Sequence, residues 1–338
     1  MDERYARYAP GRRAVLLGIA GTAIGCSSSG GRRASPSPSP TGGPASANGS
    51  ASSSAAATAT GAAPGLPVVT AWAPNPGDVQ PEVKRRAVDA VSALGAWPPG
   101  EPGLAAARAR LAALGFAPEL ADQAGSLLVD APEAVLEVVD AQYGGILDTT
   151  ASVLVACRRW TRAADGAVTA DGSTVDVRLS RATPRWTVTA LHPSDPGPAA
   201  ATVSAQATRV LADSRIVLPP AAADDVRAGT VHASVLTALE TLAVDHTIDV
   251  TVLRSGHPID VFGTTRPSDH PKGRAVDVWD IDGRPVVDPA TPRALVESFM
   301  RAGAAAGSYN VGGPYALPGA TFFTDPTHHD HVHLGFTT

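Results

Sequence analysis

The chain has 338 residues, of which 44% are hydrophobic, and a formal net charge of −5 at pH 7. At roughly 150 residues per domain, this length predicts two domains with additional segments. The acidic balance and the absence of a Lys/Arg run argue against a nucleic-acid-binding protein, because such proteins present a basic surface to phosphates. We therefore expect no nucleic acid among its partners.

The first 26 residues have the order of an export signal. Arginines lie within residues 1–13, an apolar run extends from Ala14 to Gly25, and Cys26 follows it. The run is too short to cross a bilayer, which needs about 20 residues, and is typical of a secretory signal peptide. The segment TAIGC resembles the lipobox of bacterial lipoproteins. That resemblance implies that Cys26 is lipidated and anchors the chain to the outer face of the cell membrane, facing the cell wall.

Two regions follow the signal peptide. Residues 27–65 consist mostly of Ser, Ala, Pro, Gly and Thr, and this composition predicts a disordered linker because it cannot bury a core. Residues 66–200 are predicted to form a small accessory α+β domain. Apolar residues at helical spacing predict helices at 81–97 and 101–116, and later alternation predicts a strand meander that turns at Asp171–Gly172.

Residues 203–338 predict a second α+β domain, in which helices precede and interrupt a mostly antiparallel set of strands. Alternating apolar residues predict strands at 246–256, 273–281 and 330–336. A helix is expected from about residue 291, with Thr291 as its N-cap and Pro292 at its first position.

Four of the nine histidines lie in one C-terminal stretch, HHDHVHLGF at residues 328–336. Because side chains alternate between the two faces of a strand, His331 and His333 should face a cleft while Val332 and Leu334 enter the core.

A second polar stretch lies upstream, SDHPKGRAVD at residues 268–277, and supplies His270 and Asp277. Two imidazoles and a carboxylate suit zinc, and three protein ligands leave one coordination position open for water. The two stretches together predict a catalytic zinc site.

Both stretches match motifs of one family. SDHPKGRAVD fits the pattern S-x-H-x-x-G-x-A-x-D, and HVH at 331–333 fits the C-terminal H-x-H, of the zinc peptidases that cut peptidoglycan cross-links. These are the D-alanyl-D-alanine carboxypeptidase (LAS) group, to which the Hedgehog signalling domain is similar. The resemblance covers residues 203–338. It implies an antiparallel sheet with helices and zinc held by His270, Asp277 and His333.

Two residues are candidates for the general base. In carboxypeptidase and dipeptidase members of this group, a Glu lies three residues before the last zinc ligand, and here that position is Asp330. A regular strand aims Asp330 away from the metal. We therefore prefer His331 as the base, or as a donor to the developing oxyanion, with Asp330 as the second candidate.

Other residues are expected to support the site. The family often places an arginine before the first zinc motif, and Arg254 or Arg266 is suited to bind a substrate carboxylate through its planar guanidinium. An ordinary exposed arginine is the alternative for each. Ser268 and His328 are expected to hydrogen-bond near the zinc ligands, and Gly273 is expected to permit a tight turn between them.

These observations predict an exported lipoprotein with a zinc-dependent peptidase domain that hydrolyses peptidoglycan stem peptides or cross-links. The alternative is a non-catalytic, zinc-containing module that binds the cell wall, which the missing Glu at position 330 favours. A structural lipoprotein with an empty site is the third hypothesis. The cost of burying polar ligands without a metal argues against it.

Overall fold

The computed structural model describes residues 65–338. The predicted signal peptide, Cys26 and the linker up to residue 64 lie outside this part of the chain. Within residues 65–338, no helix is both long enough and apolar enough to cross a membrane. The described residues have mixed α and β structure, which confirms the predicted α+β class.

In the N-terminal half, residues 65–200, one helix packs against a four-stranded antiparallel meander of order β1-β2-β3-β4, and a second helix packs on the first. Its core lies between α1 and the sheet, where alternate strand residues and one stripe of the helix are buried. The elements are α1 Pro81–Gly95, α2 Gly103–Ala113, β1 Glu133–Ile146, β2 Thr150–Arg162, β3 Val168–Ser180 and β4 Thr187–Pro193, with short 3-10 helices at Pro118–Gln123 and Gly125–Leu127.

The turn of this meander is not where the sequence predicts it. Asp171 and Gly172 lie inside β3, paired with β2, and the chain reverses instead at Asp165–Gly166. The prediction was wrong because Gly172 serves a different purpose. A Cβ there would lie 2.1 Å from the carbonyl oxygen of Cys157 and 2.7 Å from the ring of Pro220. Glycine is required by this close approach rather than by a turn.

The C-terminal half, residues 203–338, is built on a seven-stranded sheet. Six of its strands follow the order β10-β9-β11-β7-β6-β5, and β8 pairs with β7. The central pairs are antiparallel, as expected, but both edge pairs are parallel, so the sheet is mixed. The elements are α3 Ala205–Ala212, β5 Ile216–Val217, α4 Pro220–Arg227, α5 Ala233–Leu242, β6 Ile248–Val252, β7 Ala275–Ile281, β8 Arg284–Pro285, α6 Arg293–Ala305, β9 Asn310–Gly312, β10 Phe322–Phe323 and β11 Val332–Gly335, with short 3-10 helices at His270–Lys272 and Thr327–His329.

The start of α6 also differs from the prediction. Pro292, not Thr291, is the N-cap, and the helix begins at Arg293. The hydroxyl of Thr291 donates instead to the carbonyl oxygen of Pro285, at 2.6 Å. The Thr291 prediction was wrong because a contact with the preceding strand β8 takes the hydroxyl away from the helix end.

The two halves meet where α4 packs against β2 and β3, and along β1, the edge strand of the first sheet. The hydroxyl of Thr251 in β6 donates to Asp140 in β1 at 2.7 Å, and the backbone N–H of Ile146 donates to the Thr327 hydroxyl at 3.3 Å. Each half has its own hydrophobic core. The edge of one sheet therefore lies against the end of β11, where the predicted site residues are found.

Candidate metal centre

The site is built on two neighbouring antiparallel strands, β7 and β11. Asp277 of β7 lies directly opposite His333 of β11. Because side chains alternate along a strand, the flanking apolar residues point into the core and leave these two polar side chains on the opposite face. The flanking core residues are Val276, Val278, Val332 and Leu334. This arrangement agrees with the strand parity expected from the sequence.

His270 reaches the same point from the loop before β7. It begins the 3-10 helix His270–Lys272, which ends at Gly273 with a φ of 67°. A Cβ at Gly273 would lie 2.0 Å from the carbonyl oxygen of Thr230, so this turn requires glycine. The predicted tight turn is confirmed, and it returns the chain to β7.

The three residues that the motifs single out converge on one another. His270 Nε2 lies 3.1 Å from Asp277 Oδ1, and His333 Nδ1 lies 2.9 Å from the same oxygen. The two ring nitrogens are 3.3 Å apart. All three side chains are buried. Three potential ligand atoms therefore face one small volume.

The hydrogen-bond partners of these three atoms are compatible with a bound cation. His270 Nδ1 lies 2.8 Å from the carbonyl oxygen of Leu253, which can only accept, so Nδ1 carries a hydrogen and Nε2 is the ring atom that can offer a lone pair to a ligand. That lone pair faces a carboxylate oxygen and His333 Nδ1. A hydrogen on His333 Nδ1 satisfies only one of these two neighbours. A metal cation would satisfy all three atoms.

His257 lies beside this group, and its ring stacks on that of His270. His257, His270 and Asp277 offer ligand atoms within 4.8 Å of one another, and this cluster could hold a metal ion. Burial and the neighbouring His270 lower the pKa of His257 well below its usual value, so the ring is neutral near pH 7. Its Nδ1 lies 2.9 Å from the carbonyl oxygen of Pro258, which leaves Nε2 with a lone pair.

His331 stands next to the cluster and is held by Asp330. Its Nδ1 lies 2.7 Å from Asp330 Oδ1, and its Nε2 lies 3.7 Å from Asp277 Oδ1. Burial would lower the pKa of His331, but Asp277 and Asp330 outweigh burial and raise it. A carboxylate on Nδ1 orients the ring and leaves Nε2 to face the cluster.

Asp330 itself is directed away from the metal ligands. Its Oδ2 lies 2.7 Å from Lys84 Nζ and accepts from the backbone N–H of Tyr143 at 3.0 Å. Burial would raise the pKa of Asp330, but Lys84 and His331 outweigh it and lower that pKa to about 2. A carboxylate with so low a pKa and with partners on both oxygens is a weak proton acceptor, and its Oδ1 contacts the ring of His331.

A cavity of about 400 Å³ opens onto the cluster. The side chains of His270, Asp277 and His333 form one wall, and the N-terminal half forms another through β1. The loop between β6 and β7 contributes apolar residues to the rim. The residues of the second wall and rim are Tyr143, Gly144, Ile146, Leu147, Val261 and Phe262. The cavity is therefore shared between the two halves of the chain.

The remaining predicted residues divide between the cavity and its surroundings. Arg266, Ser268 and His328 line the cavity. The Ser268 hydroxyl oxygen accepts from the backbone N–H of His270 at 3.3 Å. Arg254 does not reach the cavity, because its guanidinium faces Asp225 at 3.9 Å. Of the two arginines, the structure brings only Arg266 to the site.

Several residues of the site have no sequence motif. Gln142 Nε2 donates to Asp277 Oδ2 at 2.6 Å, and Lys84 supports Asp330 from α1. For Lys84 a signal exists: it falls on the buried stripe of α1, with Ala87, Val88 and Val91, where a lysine is unusual unless it is paired. For Gln142 we find no local signal.

Comparison with known proteins adds no relative. No protein-family model matches the chain, and neither the curated proteins nor the solved structures gave a match.

Proposed function

We propose that this chain is a zinc-dependent peptidase that hydrolyses peptidoglycan stem peptides or cross-links at the bacterial cell envelope. The convergence of His270, Asp277 and His333 carries the proposal, because three ligand atoms at 2.9 to 3.3 Å from one another lie at a cavity large enough for part of a peptide. Two imidazoles and one carboxylate suit zinc and leave a coordination position free. Zinc would supply a Lewis acid that polarises a carbonyl and acidifies water.

Ring geometry favours His333 over His257 as the third ligand. The His257 and His270 rings are nearly parallel, at 15°, with centroids 3.9 Å apart. Their lone pairs therefore lie in separate parallel planes, and a metal about 2.0–2.1 Å from both nitrogens cannot lie in both planes. The His270 and His333 rings cross at 55°, which allows their lone pairs to meet. His257 supports the site by stacking on His270.

His331 is the residue of this site best placed to move a proton. Its Nδ1 is engaged by Asp330, so Nε2 faces the site and, in the unprotonated ring, would accept a proton from water and return it to the leaving amine. A carboxylate that fixes the tautomer of such a histidine is a familiar arrangement in hydrolases. Arg266, in the cavity wall, would hold a carboxylate of the substrate.

The proposed location follows from the N-terminal sequence. Cys26 would carry the lipid anchor at the outer face of the cell membrane, and residues 27–65 would tether the remaining chain within reach of the cell wall. A flexible chain of this length spans roughly 35 Å. Peptidoglycan peptides and the membrane are then its two partners.

A second function has one observation in its favour. The family's catalytic Glu corresponds to Asp330, and here that carboxylate is paired with Lys84 and directed away from the ligands. A zinc-containing module that binds cell-wall peptides without cutting them would need no base at this position.

Digestion of defined muropeptides by the full chain tests the proposal. The chain, purified without affinity histidines and loaded with one zinc, should remove cross-links or terminal D-Ala residues, as read by mass spectrometry. His331→Ala should retain zinc and lose about 100-fold or more in rate. His246→Ala is the matched control, because His246 pairs with Asp282 outside the cavity, and it should cleave like the wild type.

Full zinc occupancy with every cross-link and D-Ala terminus left intact would contradict the peptidase proposal. Retained binding of the same muropeptides would then favour the non-catalytic module.

A further inference from the structure

We infer that Gln142, in the N-terminal half, is a positioning residue of the metal centre, so that this half belongs to the centre and is not a separate accessory unit. The inference rests on the proposed metal site. Gln142 Nε2 donates to Asp277 Oδ2 at 2.6 Å. Gln142 is 0% exposed and Asp277 is 1% exposed. A hydrogen bond this short between two buried groups links strand β1 directly to the carboxylate of β7.

The two oxygens of Asp277 have separate partners. Oδ1 faces the ring nitrogens of His270 and His333, and Oδ2 faces the Gln142 amide. The terminal torsion of an aspartate is broad, so an unheld carboxylate rotates easily. The amide donor restricts that rotation and presents one oxygen to the metal. Groups that hydrogen-bond a metal ligand in this way set its orientation and contribute to metal affinity.

The second atom of the Gln142 amide shows what this contact costs. Oε1 is buried and has no hydrogen-bond partner among the described residues, a situation that destabilises the folded chain. Exchanging the two amide atoms would bring Oε1 against the Asp277 carboxylate, which is worse. An unpaired buried oxygen is a poor feature for stability alone. It is explained if the Nε2 donor of the same side chain is needed to orient the Asp277 carboxylate.

The neighbouring residue supports the same inference independently. The backbone N–H of Tyr143 donates to Asp330 Oδ2 at 3.0 Å, and Asp330 holds His331. Two consecutive residues of β1 thus reach two different parts of the site, one through a metal ligand and one through the histidine that handles protons. A strand that only packed beside the site would not need both contacts.

Metal affinity, rather than activity, tests the inference. Gln142→Met removes the donor at similar volume. Zinc affinity would be measured on the full chain by competition with a chromogenic chelator, and the ligand geometry by the visible spectrum of the cobalt(II)-loaded protein. We expect zinc binding about 10- to 100-fold weaker than in the wild type and an altered cobalt spectrum. The unfolding midpoint of the metal-free protein would be recorded alongside.

Gln123→Met is the matched control. It removes another glutamine hydrogen bond of the N-terminal half, the one that Gln123 accepts from the Leu191 backbone, and should leave affinity and spectrum unchanged. If Gln142→Met does not fold, Gln142→Asn decides by the same readouts, because it withdraws the amide by one methylene.

Wild-type affinity and an unchanged cobalt spectrum in a folded Gln142 variant would overturn the inference and leave the proposed function standing. A wild-type chain that takes up no zinc would overturn the proposed function, and the inference with it.

Discussion

Lys84 is a buried lysine that contacts two carboxylates. Its side chain is 2% exposed and lies between the carboxylates of Asp78 and Asp330. Burial would lower the pKa of Lys84, but Asp330 and Asp78 outweigh it and raise that pKa, so the ammonium stays charged. The two carboxylates compensate for the loss of water around it. Lys84 thereby connects α1 to the Asp330–His331 pair.

Replacement of Lys84 by methionine should destabilise the protein strongly. The variant leaves two buried carboxylates without their cation, and breaking such a pair costs about 3–5 kcal/mol. Urea unfolding of the metal-free chain at pH 7 measures this loss. Arg108→Met is the control, since the Arg108–Asp122 pair is exposed and should cost less than about 1 kcal/mol. Equal losses in both variants would show that Lys84 is not held as described.

The third metal ligand can be decided by comparing two histidine variants. His333→Ala should weaken zinc binding by more than the about 10- to 100-fold that loss of a supporting group costs, because it removes a ligand. His257→Ala removes only the ring stacked on His270 and should stay within that range. Chelator competition on both variants gives the answer. The reverse order would make His257 the ligand.

At the scale of elements, strands β6 and β7 hold an unfavourable pair outside the site. Asp249 of β6 lies directly opposite Asp280 of β7. Burial, together with the Asp280 carboxylate, raises the pKa of Asp249 to about 6. Like charges directly opposite each other on neighbouring strands destabilise a sheet. The pairing of β6 with β7 is therefore weakest when both carboxyls are ionised.

Asp249→Asn should stabilise the protein in a pH-dependent way. The folded carboxyl binds its proton more tightly than the unfolded one, whose pKa is near 3.8, so wild-type stability rises as pH falls through 6. The variant should be more stable by about 1–2 kcal/mol above pH 6, after allowance for solvent screening. This advantage should shrink as the pH falls to 4. Urea unfolding at pH 7.5 and pH 4 measures it; a gain of equal size at both pH values would argue against the raised pKa.

At the scale of the whole molecule, one site is shared by two halves that each have their own hydrophobic core. The N-terminal half supplies one wall of the cavity, the Gln142 amide and the Lys84 ammonium. The C-terminal half supplies the proposed metal ligands His270, Asp277 and His333. A sequence motif confined to residues 203–338 therefore describes only part of the centre.

A fragment of residues 203–338 should bind zinc at least about 10-fold more weakly than the full chain, because it lacks the groups that hold Asp277 and Asp330. The same chelator competition measures both proteins, with circular dichroism to follow whether the fragment is folded. A folded fragment with the affinity of the full chain would show that the N-terminal half is dispensable for the metal.

Periodic and local features were readable from the sequence. Strand alternation at 331–334 identified which residues enter the core and which face the cleft, because the period of a strand is a local property. The α+β class and the turn at Gly273 were also predictable, because helix and strand periods and turn-forming glycines are local features of the sequence. The turn at Asp171–Gly172 was not, since a glycine suits a turn and a close approach equally well, and only the packing of Pro220 against β3 distinguishes the two.

The partners of the buried charges depended on the tertiary structure. Gln142 lies 135 positions before Asp277 along the chain, and Lys84 lies farther still from Asp330, so no periodicity or motif links them. The C-terminal segment, read alone, presents Asp330 as a candidate base. In the folded chain Asp330 pairs with His331 and with Lys84, a lysine from a helix near the start of the described residues. Burial makes such long-range pairings obligatory, since a charge removed from water must find its partner wherever the fold brings one.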